Sequence, residues 1–187
     1  MNQNIKAIIG LGNPGASYYY HRHSIGFRVL DALADKYHAT WRKIQDMEMA
    51  EVTLDGNNII LVKPQTYMNT SGKVIPYLQK KGIKAENILV VHDELELPFG
   101  QVKIKQGGSA KGHNGLKSII AACGDSFSRL RVGIGRPEER EKVPDYVLEN
   151  FNEPKATVED MITKAIALIE GWLLGFLIQF YVIRLEM

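Results

Sequence analysis

Short apolar runs alternate with amphipathic segments along this chain, and such alternation is typical of α/β proteins. Continuous or alternating apolar residues predict strands at 6–10, 88–91, 102–105 and 130–134. Two further runs, 52–54 and 59–62, flank Asp55-Gly56-Asn57-Asn58, which is typical of a hairpin turn. Because a hairpin and short later connections require antiparallel pairing, we expect an α/β fold with a mixed sheet.

Helical spacing of apolar residues predicts four helices. They cover 24–38, a stretch that bears Val74, Tyr77 and Leu78, then 116–122, and a last segment from about Thr157 past Ile169. Ser24 is expected to cap the first helix and Thr70 or Ser71 the second, because hydroxyl side chains accept hydrogen bonds from the free N–H groups at a helix start.

Length and composition favour one domain. The chain has 187 residues, of which 45% are hydrophobic, so we expect one well-packed domain over 1–187. A single cysteine, Cys123, excludes an internal disulfide and a cysteine-based zinc site. No secretion signal is recognisable at the N-terminus, so we expect a cytoplasmic protein. Residues 172–183 are almost wholly apolar but shorter than the roughly 18 residues of a membrane span, so we expect a buried segment and no membrane anchor.

Positive charge is concentrated in one part of the chain. The net charge is only +2, but residues 101–136 hold seven lysines and arginines against one acid. The alternation in Lys103-Ile104-Lys105 and in Arg129-Leu130-Arg131 places each basic pair on one face of a strand. A solvated strand face has this pattern too, but two such pairs favour phosphate binding. We therefore predict that this segment, Lys103 included, binds a polyanion.

Gly10, Gly12 and Gly15 spell G-x-G-x-x-G after the first predicted strand, which is the pattern of a dinucleotide-binding loop. Such a loop needs a helix that starts within the motif, so that free N–H groups meet the pyrophosphate. Here Pro14 and the residues after it have no helical apolar period. We therefore expect a tight turn that directs Asn13 toward a site, with a dinucleotide oxidoreductase as the alternative.

Histidine and carboxylate side chains are the candidates for catalysis. His23 lies in an irregular loop just before a helix, where catalytic side chains are commonly presented, and a surface histidine is the plain alternative. Asp93 follows a buried strand, and a carboxylate that accepts one imidazole N–H leaves the other nitrogen free to take a proton from water. His21 and His23, joined by His92, Asp93 or His113, would instead offer ligands to a metal ion such as zinc. No helical H-x-x-x-H or H-E-x-x-H supports that metal site.

Three asparagines lie beside glycine or at loop-to-helix junctions, namely Asn13, Asn69 and Asn114. Asparagine in such places is commonly a turn former. A carboxamide also offers donors and an acceptor at once, so several together hold a peptide backbone, orient water or stabilise an oxyanion. We predict that these asparagines form part of a substrate site.

Five short motifs stand in a defined order along the chain. They are Gly10-Leu-Gly-Asn-Pro-Gly15, Tyr18 with Arg22-His23, Lys63-Pro-Gln-Thr-Tyr-Met-Asn69, Val91-His-Asp-Glu-Leu95 and Gly112-His-Asn-Gly-Leu-Lys117, and the segment 129–137 extends them. In this order and spacing they resemble the bacterial peptidyl-tRNA hydrolase family over roughly residues 5–170. The resemblance implies a single-domain, three-layer α/β/α sandwich around a mixed, twisted sheet. It also implies a monomeric enzyme, without cofactor or metal, that cleaves the ester between a peptide and the terminal ribose of tRNA and so recycles tRNA from stalled translation.

The same resemblance implies roles for individual residues. His23 would be the general base and Asp93 its orienting carboxylate. Asn13 would recognise the blocked amino end of the substrate, and peptide and water would be bound by Tyr18, Tyr67, Met68, Asn69, His113 and Asn114. Lys105 and Arg131 would bind the 5′-phosphate of the tRNA.

The chain departs from the family pattern at several positions. His21 and Ser24 stand where threonine and asparagine are usual, Lys111 stands where a small residue is usual, and residues 171–187 are less polar than the C-terminal helix of the family. Because these changes flank the predicted base and the phosphate groove, a tRNA-binding protein without catalysis is an alternative function. A metal-dependent hydrolase that uses His21 and His23 is another.

Overall fold

One mixed sheet of seven strands forms the centre of the part of the chain that the structure describes. The structure is a computed structural model, and it describes residues 4–175. The strands are β1 (Ala7–Gly10), β2 (Arg42–Ile44), β3 (Met47–Leu54), β4 (Asn57–Pro64), β5 (Ile88–Glu94), β6 (Val102–Gln106) and β7 (Ser128–Gly133). Their order is β2-β3-β4-β1-β5-β7-β6, with four central parallel strands and antiparallel pairing toward both edges. The predicted mixed sheet is confirmed.

Helices cover both faces of this sheet. They are α1 (Ile25–Lys36), α2 (Ile75–Lys80), α3 (Asn114–Cys123), α4 (Val143–Val147) and α5 (Lys155–Leu173). The apolar sides of α1 and α5 share one hydrophobic core with the sheet, and those of α2 and α3 share a second core on the opposite face. This arrangement confirms the predicted three-layer α/β/α sandwich.

The predicted hairpin is formed by β3 and β4, which pair antiparallel over their full lengths. Its turn consists of Asp55 and Gly56, with φ of 48° and 74°. A two-residue hairpin turn with positive φ at both positions matches the twist of the strands, and Asp-Gly is a preferred sequence for it. Short-range turn chemistry therefore determined this part of the fold.

The predicted end of one strand and the predicted cap of α2 were wrong. Strand β5 runs on to Glu94 instead of ending at Val91, because its ladder with β7 continues to the pair Glu94–Gly133. Neither Thr70 nor Ser71 caps α2, since both lie in a stretch of 3-10 helix where their hydroxyls donate to backbone carbonyls three residues earlier. Sequence periodicity also did not predict β2 or the five-residue α4.

The glycines of the first motif let α1 pack closely on β1. A Cβ at Gly10 would lie 2.4 Å from the carbonyl oxygen of Gly26 in α1, and a Cβ at Gly12 would lie 2.7 Å from the ring of Phe27. Two short 3-10 turns, Ala16–Tyr18 and Arg22–Ser24, follow Gly15, and α1 begins only at Ile25. The helix start that a dinucleotide-binding loop requires is therefore ten residues away from the motif.

Strand order determines where a site can form. Strand β1 has β4 on one side and β5 on the other, and the helices α1 and α2 lie on opposite faces. In open α/β sheets such a reversal leaves a crevice beyond the carboxyl ends of the parallel strands, where ligands bind. Asn13 follows β1, Asn69 follows β4 and Asp93 lies near the end of β5.

The apolar segment 172–183 is only partly within the described residues. Trp172 belongs to α5 and packs against the first core, while residues 176–187 lie outside the described part of the chain. Among residues 4–175, no helix combines the length and the apolar character needed to cross a membrane.

Candidate active site

Asp93 joins two histidines through a single oxygen atom. Its Oδ1 lies 2.9 Å from His23 Nδ1 and 2.9 Å from His113 Nε2. The carboxylate is only 3% exposed because it belongs to the central strand β5, and His23 is 8% exposed in the 3-10 turn Arg22–Ser24 that precedes α1. Residues 70 positions apart in the sequence therefore form a buried hydrogen-bonded pair.

The electrostatics of this pair keep the carboxylate ionised and make His23 a stronger base. Burial lowers the pKa of His23, but the charge of Asp93 and the hydrogen bond to it outweigh burial and raise that pKa above its ordinary value. Burial by itself would raise the pKa of Asp93, yet its contacts with His23 and His113 hold it well below the usual range. The carboxylate is thus ionised, and it accepts the Nδ1–H of His23 so that Nε2 keeps its lone pair.

His113 contacts the protein through both ring nitrogens. It stands at the N-cap of α3, where its Nδ1 accepts the backbone N–H groups of Gly115 and Leu116 at 3.1 and 3.3 Å. Its Nε2 is the group that meets Asp93. Sequence reasoning placed His113 among the substrate-binding residues, but neither nitrogen is left for a substrate in this arrangement.

A further histidine, His92, lies behind the pair. It is 2% exposed, and its Nδ1–H donates to the backbone carbonyl of Asp93 at 2.7 Å. Burial, together with the charge of His113, lowers the pKa of His92 to about 3. His92 is therefore neutral throughout the physiological range and is no candidate for the base.

The donor set around Asp93 does not fit a metal ion. Ligand atoms of His23, Asp93 and His113 lie within 4.8 Å of one another, which is close enough for shared coordination. A metal on His113 Nε2 would require the hydrogen on Nδ1, where it would face the two backbone N–H groups of α3. His21, which the metal alternative requires, is not part of this cluster in the described residues.

The predicted asparagines differ in how firmly they are held. Asn13 is buried, and its Oδ1 accepts the backbone N–H of Met68 at 2.9 Å. The backbone N–H of Asn13 donates to Ser24 Oγ at 3.2 Å. Ser24 thus precedes α1 as predicted, but its hydroxyl bonds the loop of Asn13 instead of capping the helix. Asn69 and Asn114 are exposed at the ends of neighbouring elements.

Tyr18, His21 and Tyr67 form an aromatic cluster. The ring of Tyr18 is edge-on to the ring of Tyr67, with centroids 6.3 Å apart, and edge-on to His21 at 5.4 Å. Tyr67 is 63% exposed, whereas the side chain of Met68 packs into the second core under α3. Tyr67 is therefore the exposed member of this cluster and Tyr18 is half-buried, while the substrate role that the resemblance implies for them stays a prediction.

A cleft of about 370 Å³ opens next to the His23–Asp93 pair. Its basic lining residues are Lys105, Lys111, Arg129, Arg131, Arg136 and Arg140. Lys105 and Lys103 lie on one face of β6, opposite Arg129 and Arg131 of β7, as the alternating charges predicted. Lys103 does not line the cleft, so only part of this basic face borders the His23–Asp93 pair.

The contacts of Arg131 and Arg129 in this cleft could not be predicted from the sequence pattern. Arg131 Nε donates to Glu94 Oε2 at 2.7 Å, so a neighbouring carboxylate partly balances its charge. Arg129 is only 4% exposed, and its guanidinium donates to the backbone carbonyls of Gly108 and Ser109. Arg129 thereby fixes the glycine-rich loop ahead of His113 instead of facing solvent.

Comparison with known proteins identifies the family of this chain. The family profile of peptidyl-tRNA hydrolase matches residues 7–179. The chain belongs to the peptidyl-tRNA hydrolase family. A relative from Rickettsia prowazekii is 48% identical over 149 residues, which is 78% of this chain and 80% of the relative. One from Lactiplantibacillus plantarum is 43% identical over 173 residues, covering 90% and 93%.

Solved peptidyl-tRNA hydrolases have the same fold. The crystal structure of the enzyme from Acinetobacter baumannii superposes with a TM-score of 0.86 at 37% identity, over 94% of this chain and 92% of that chain. The three-layer sandwich around a mixed sheet is therefore the fold of this peptidyl-tRNA hydrolase family member.

Departures from the usual pattern of the peptidyl-tRNA hydrolases lie around the site. His21 pairs through its backbone with Asn150, and burial, followed by the charge of His23, lowers the pKa of His21. Lys111 is exposed at the cleft and has a φ of 45°, in the left-handed region that a glycine adopts without strain. Both substitutions change side chains next to the site and leave the His23–Asp93 contact intact.

The turn that carries His23 is anchored by the segment around α4. Arg22 is 2% exposed, its guanidinium stacks 4.1 Å from the centroid of the Tyr146 ring, and it bonds to the Tyr146 carbonyl at 3.2 Å. The backbone N–H of Arg22 also donates to the carbonyl of Glu149 at 3.0 Å. Arg22 belongs to a sequence motif, but no local pattern indicates this anchoring role, because its partners lie more than 120 positions away.

Proposed function

We propose that this chain hydrolyses the ester bond between the peptide and the tRNA in peptidyl-tRNA, with His23 as general base and Asp93 as its orienting carboxylate. The observation that carries the proposal is the buried 2.9 Å contact between His23 Nδ1 and Asp93 Oδ1 at the wall of a basic cleft. Membership of the peptidyl-tRNA hydrolase family supplies the substrate class.

The reaction begins with a water molecule next to His23. Its Nε2 takes a proton from this water as the oxygen attacks the ester carbonyl, and the charge of Asp93 stabilises the imidazolium that forms. The tetrahedral intermediate then collapses, the bond to the ribose oxygen breaks, and the imidazolium returns its proton to that oxygen. The products are a peptide carboxylate and a tRNA with a free terminal hydroxyl.

Asn13 is suited to selecting peptidyl-tRNA over aminoacyl-tRNA. Because its Oδ1 is engaged by the N–H of Met68, the orientation of the carboxamide is fixed and its Nδ2 is the group left to donate. A peptide carbonyl accepts such a hydrogen bond, whereas the free ammonium of an aminoacyl-tRNA offers only donors. We further propose that Asn69 and Asn114 bind peptide and water, and that Tyr18 and Tyr67 contact the substrate.

The basic side chains of the cleft would hold the tRNA. Lys105 and Arg131 line the same cleft as His23 and are proposed to bind the 5′-phosphate of the acceptor stem. Lys103 shares their strand face but lies outside the cleft lining, so it serves as the matched control for this phosphate grip. We also propose that the chain acts as a single-domain monomer in the cytoplasm. Sedimentation at the assay concentration would test whether it is a monomer.

A hydrolysis assay on N-acetyl-aminoacyl-tRNA tests this function. It compares the wild type with His23→Ala and His21→Ala, each with and without a chelator. The proposal expects loss of turnover only in His23→Ala and no effect of the chelator. Binding of tRNA without turnover in the wild type would instead identify a non-catalytic RNA-binding protein. Equal loss in both variants, or silencing by the chelator, would favour the metal-dependent alternative.

A further inference from the structure

We infer that His113 is a positioning residue held in one tautomer by helix α3, and that it orients Asp93 toward His23. The inference rests on the proposed function, because it concerns the same base. It also replaces the substrate-binding role that the sequence predicted for His113.

The hydrogen-bond partners of His113 define its tautomer. Two backbone N–H groups, those of Gly115 and Leu116, point at Nδ1, so this nitrogen must offer its lone pair. A neutral imidazole with a bare Nδ1 carries its hydrogen on Nε2, which lies 2.9 Å from the acceptor Asp93 Oδ1. In the other tautomer an N–H would face two N–H groups and a lone pair would face a carboxylate.

This tautomer gives Asp93 a second donor on the oxygen that serves His23. Both imidazoles donate to Oδ1, and the His23 and His113 rings stand with their centroids 4.7 Å apart. A carboxylate held by two donors from opposite neighbours loses the freedom to rotate away from His23. Orientation of the base then depends on where the N-terminus of α3 lies.

The packing around His113 leaves the ring one position. A Cβ at Gly115 would lie 2.5 Å from Met68 Sδ and 3.1 Å from His113 Cε1, so glycine is needed for the ring to lie over the helix start. His113 also directly precedes Asn114, the first residue of α3 and a proposed water ligand. A single residue therefore couples the carboxylate behind the base to the asparagine in front of it.

Two substitutions separate the two contacts of His113. Asparagine places its Oδ1 where His113 Nδ1 stands and is a strong helix N-cap, but its Nδ2 falls one bond short of the Nε2 position. Glutamine carries its amide nitrogen to the Nε2 position and reaches Asp93, but it does not cap α3 in the same pose. His113→Asn thus retains the cap and loses the Asp93 contact, and His113→Gln does the reverse.

The kinetic test compares these variants with the wild type and His23→Ala on N-acetyl-aminoacyl-tRNA. For His113→Asn we expect kcat to fall about 10- to 100-fold, the effect of one lost hydrogen bond to a charged group, with KM unchanged. For His113→Gln we expect kcat close to the wild type and a Tm lower by about 2–4 °C, the effect of a lost cap in a chain of this size.

Ring nitrogen chemical shifts give an independent measurement. In protein labelled with ¹⁵N-histidine, at mildly alkaline pH, we expect the Nε2–H form for His113 and the Nδ1–H form for His23. The inference would be overturned by a His113 in the Nδ1–H form or by a wild-type kcat in His113→Asn. It would also be overturned by an increased KM at constant kcat in both variants. An inactive wild type or an active His23→Ala would instead overturn the proposed function.

Discussion

A Cβ at Gly26 would lie 2.4 Å from the backbone nitrogen of Leu11, so the close approach of α1 to the end of β1 requires glycine at this position. Gly10 meets the same turn of α1 from the sheet side, 2.4 Å from the Gly26 carbonyl oxygen when a Cβ is added. The glycine motif of this chain therefore serves helix packing. It brings the His23 turn, which directly precedes α1, onto the end of the sheet.

Gly26→Ala should consequently be strongly destabilising. Alanine is the better helix former by about 1 kcal/mol, but here its methyl group would meet backbone atoms that cannot move aside, at a cost of about 3 kcal/mol or more. Gly56→Ala is the control, because Gly56 has open space around it and only a positive φ, which costs about 1–2 kcal/mol. Urea unfolding measures both, and equal losses would contradict the packing role.

Asp93→Asn should move the pH profile of the reaction. The base works only when His23 is neutral, and Asp93 raises the pKa of His23 against the effect of burial. With the charge removed, burial lowers that pKa, so the acidic limb of kcat/KM should shift to lower pH while the plateau falls by about 10³–10⁴-fold.

The control for this profile is Glu96→Gln, which removes a nearby carboxylate that pairs with Arg136 and not with His23. Its acidic limb should coincide with that of the wild type. An Asp93→Asn profile that keeps its limb, or moves it to higher pH, would show that Asp93 does not set the charge of His23.

Lys105→Ala and Arg131→Ala should weaken substrate binding in a salt-dependent way. Each removes one phosphate contact, so the slope of log K against log salt should fall by about 1 in each variant. Lys103→Ala, on the same strand face but outside the cleft lining, should leave the slope unchanged. On tRNA without its 5′-phosphate the three variants should bind alike, and a persisting difference would place the grip elsewhere on the tRNA.

Arg22→Lys should reduce both stability and turnover. Lysine keeps the charge but loses the planar group that stacks on Tyr146, so we expect a loss of about 1–3 kcal/mol and a lower kcat as the His23 turn loosens. Arg28→Lys is matched, since Arg28 is also buried and pairs with Glu159 of α5. It should lose comparable stability and keep kcat, and a parallel loss of kcat would mean that activity merely follows stability.

Part of the site could be predicted from the sequence. His23 stands in a loop before an amphipathic helix and Asp93 ends an apolar run, and both positions are local features. Their contact is not, because it depends on the placement of β5 beside β1, with the loop after β1 leading back over the strand end. The family resemblance predicted the pairing, and the structure supplies its distance and burial.

The remaining contacts depended on partners that no local pattern reveals. Arg129 and Arg131 alternate alike on β7, yet the first is buried under a glycine-rich loop and the second pairs with Glu94. The charge pattern correctly predicted the strand face on which both arginines lie, but it did not indicate the partner of either one. A strand's period of two fixes the side on which a residue lies, but not what the neighbouring element brings to it.

The sequence by itself determined the alternating elements, the Asp-Gly hairpin and the family, because these follow from periodicity, turn chemistry and motif order within short stretches of chain. Only the tertiary structure decided that His113 caps α3 and meets Asp93, since a histidine acquires its tautomer from the groups that surround it. It likewise decided that residue 10 must be glycine, because only the folded chain brings the carbonyl oxygen of Gly26 to within 2.4 Å of a Cβ at that position.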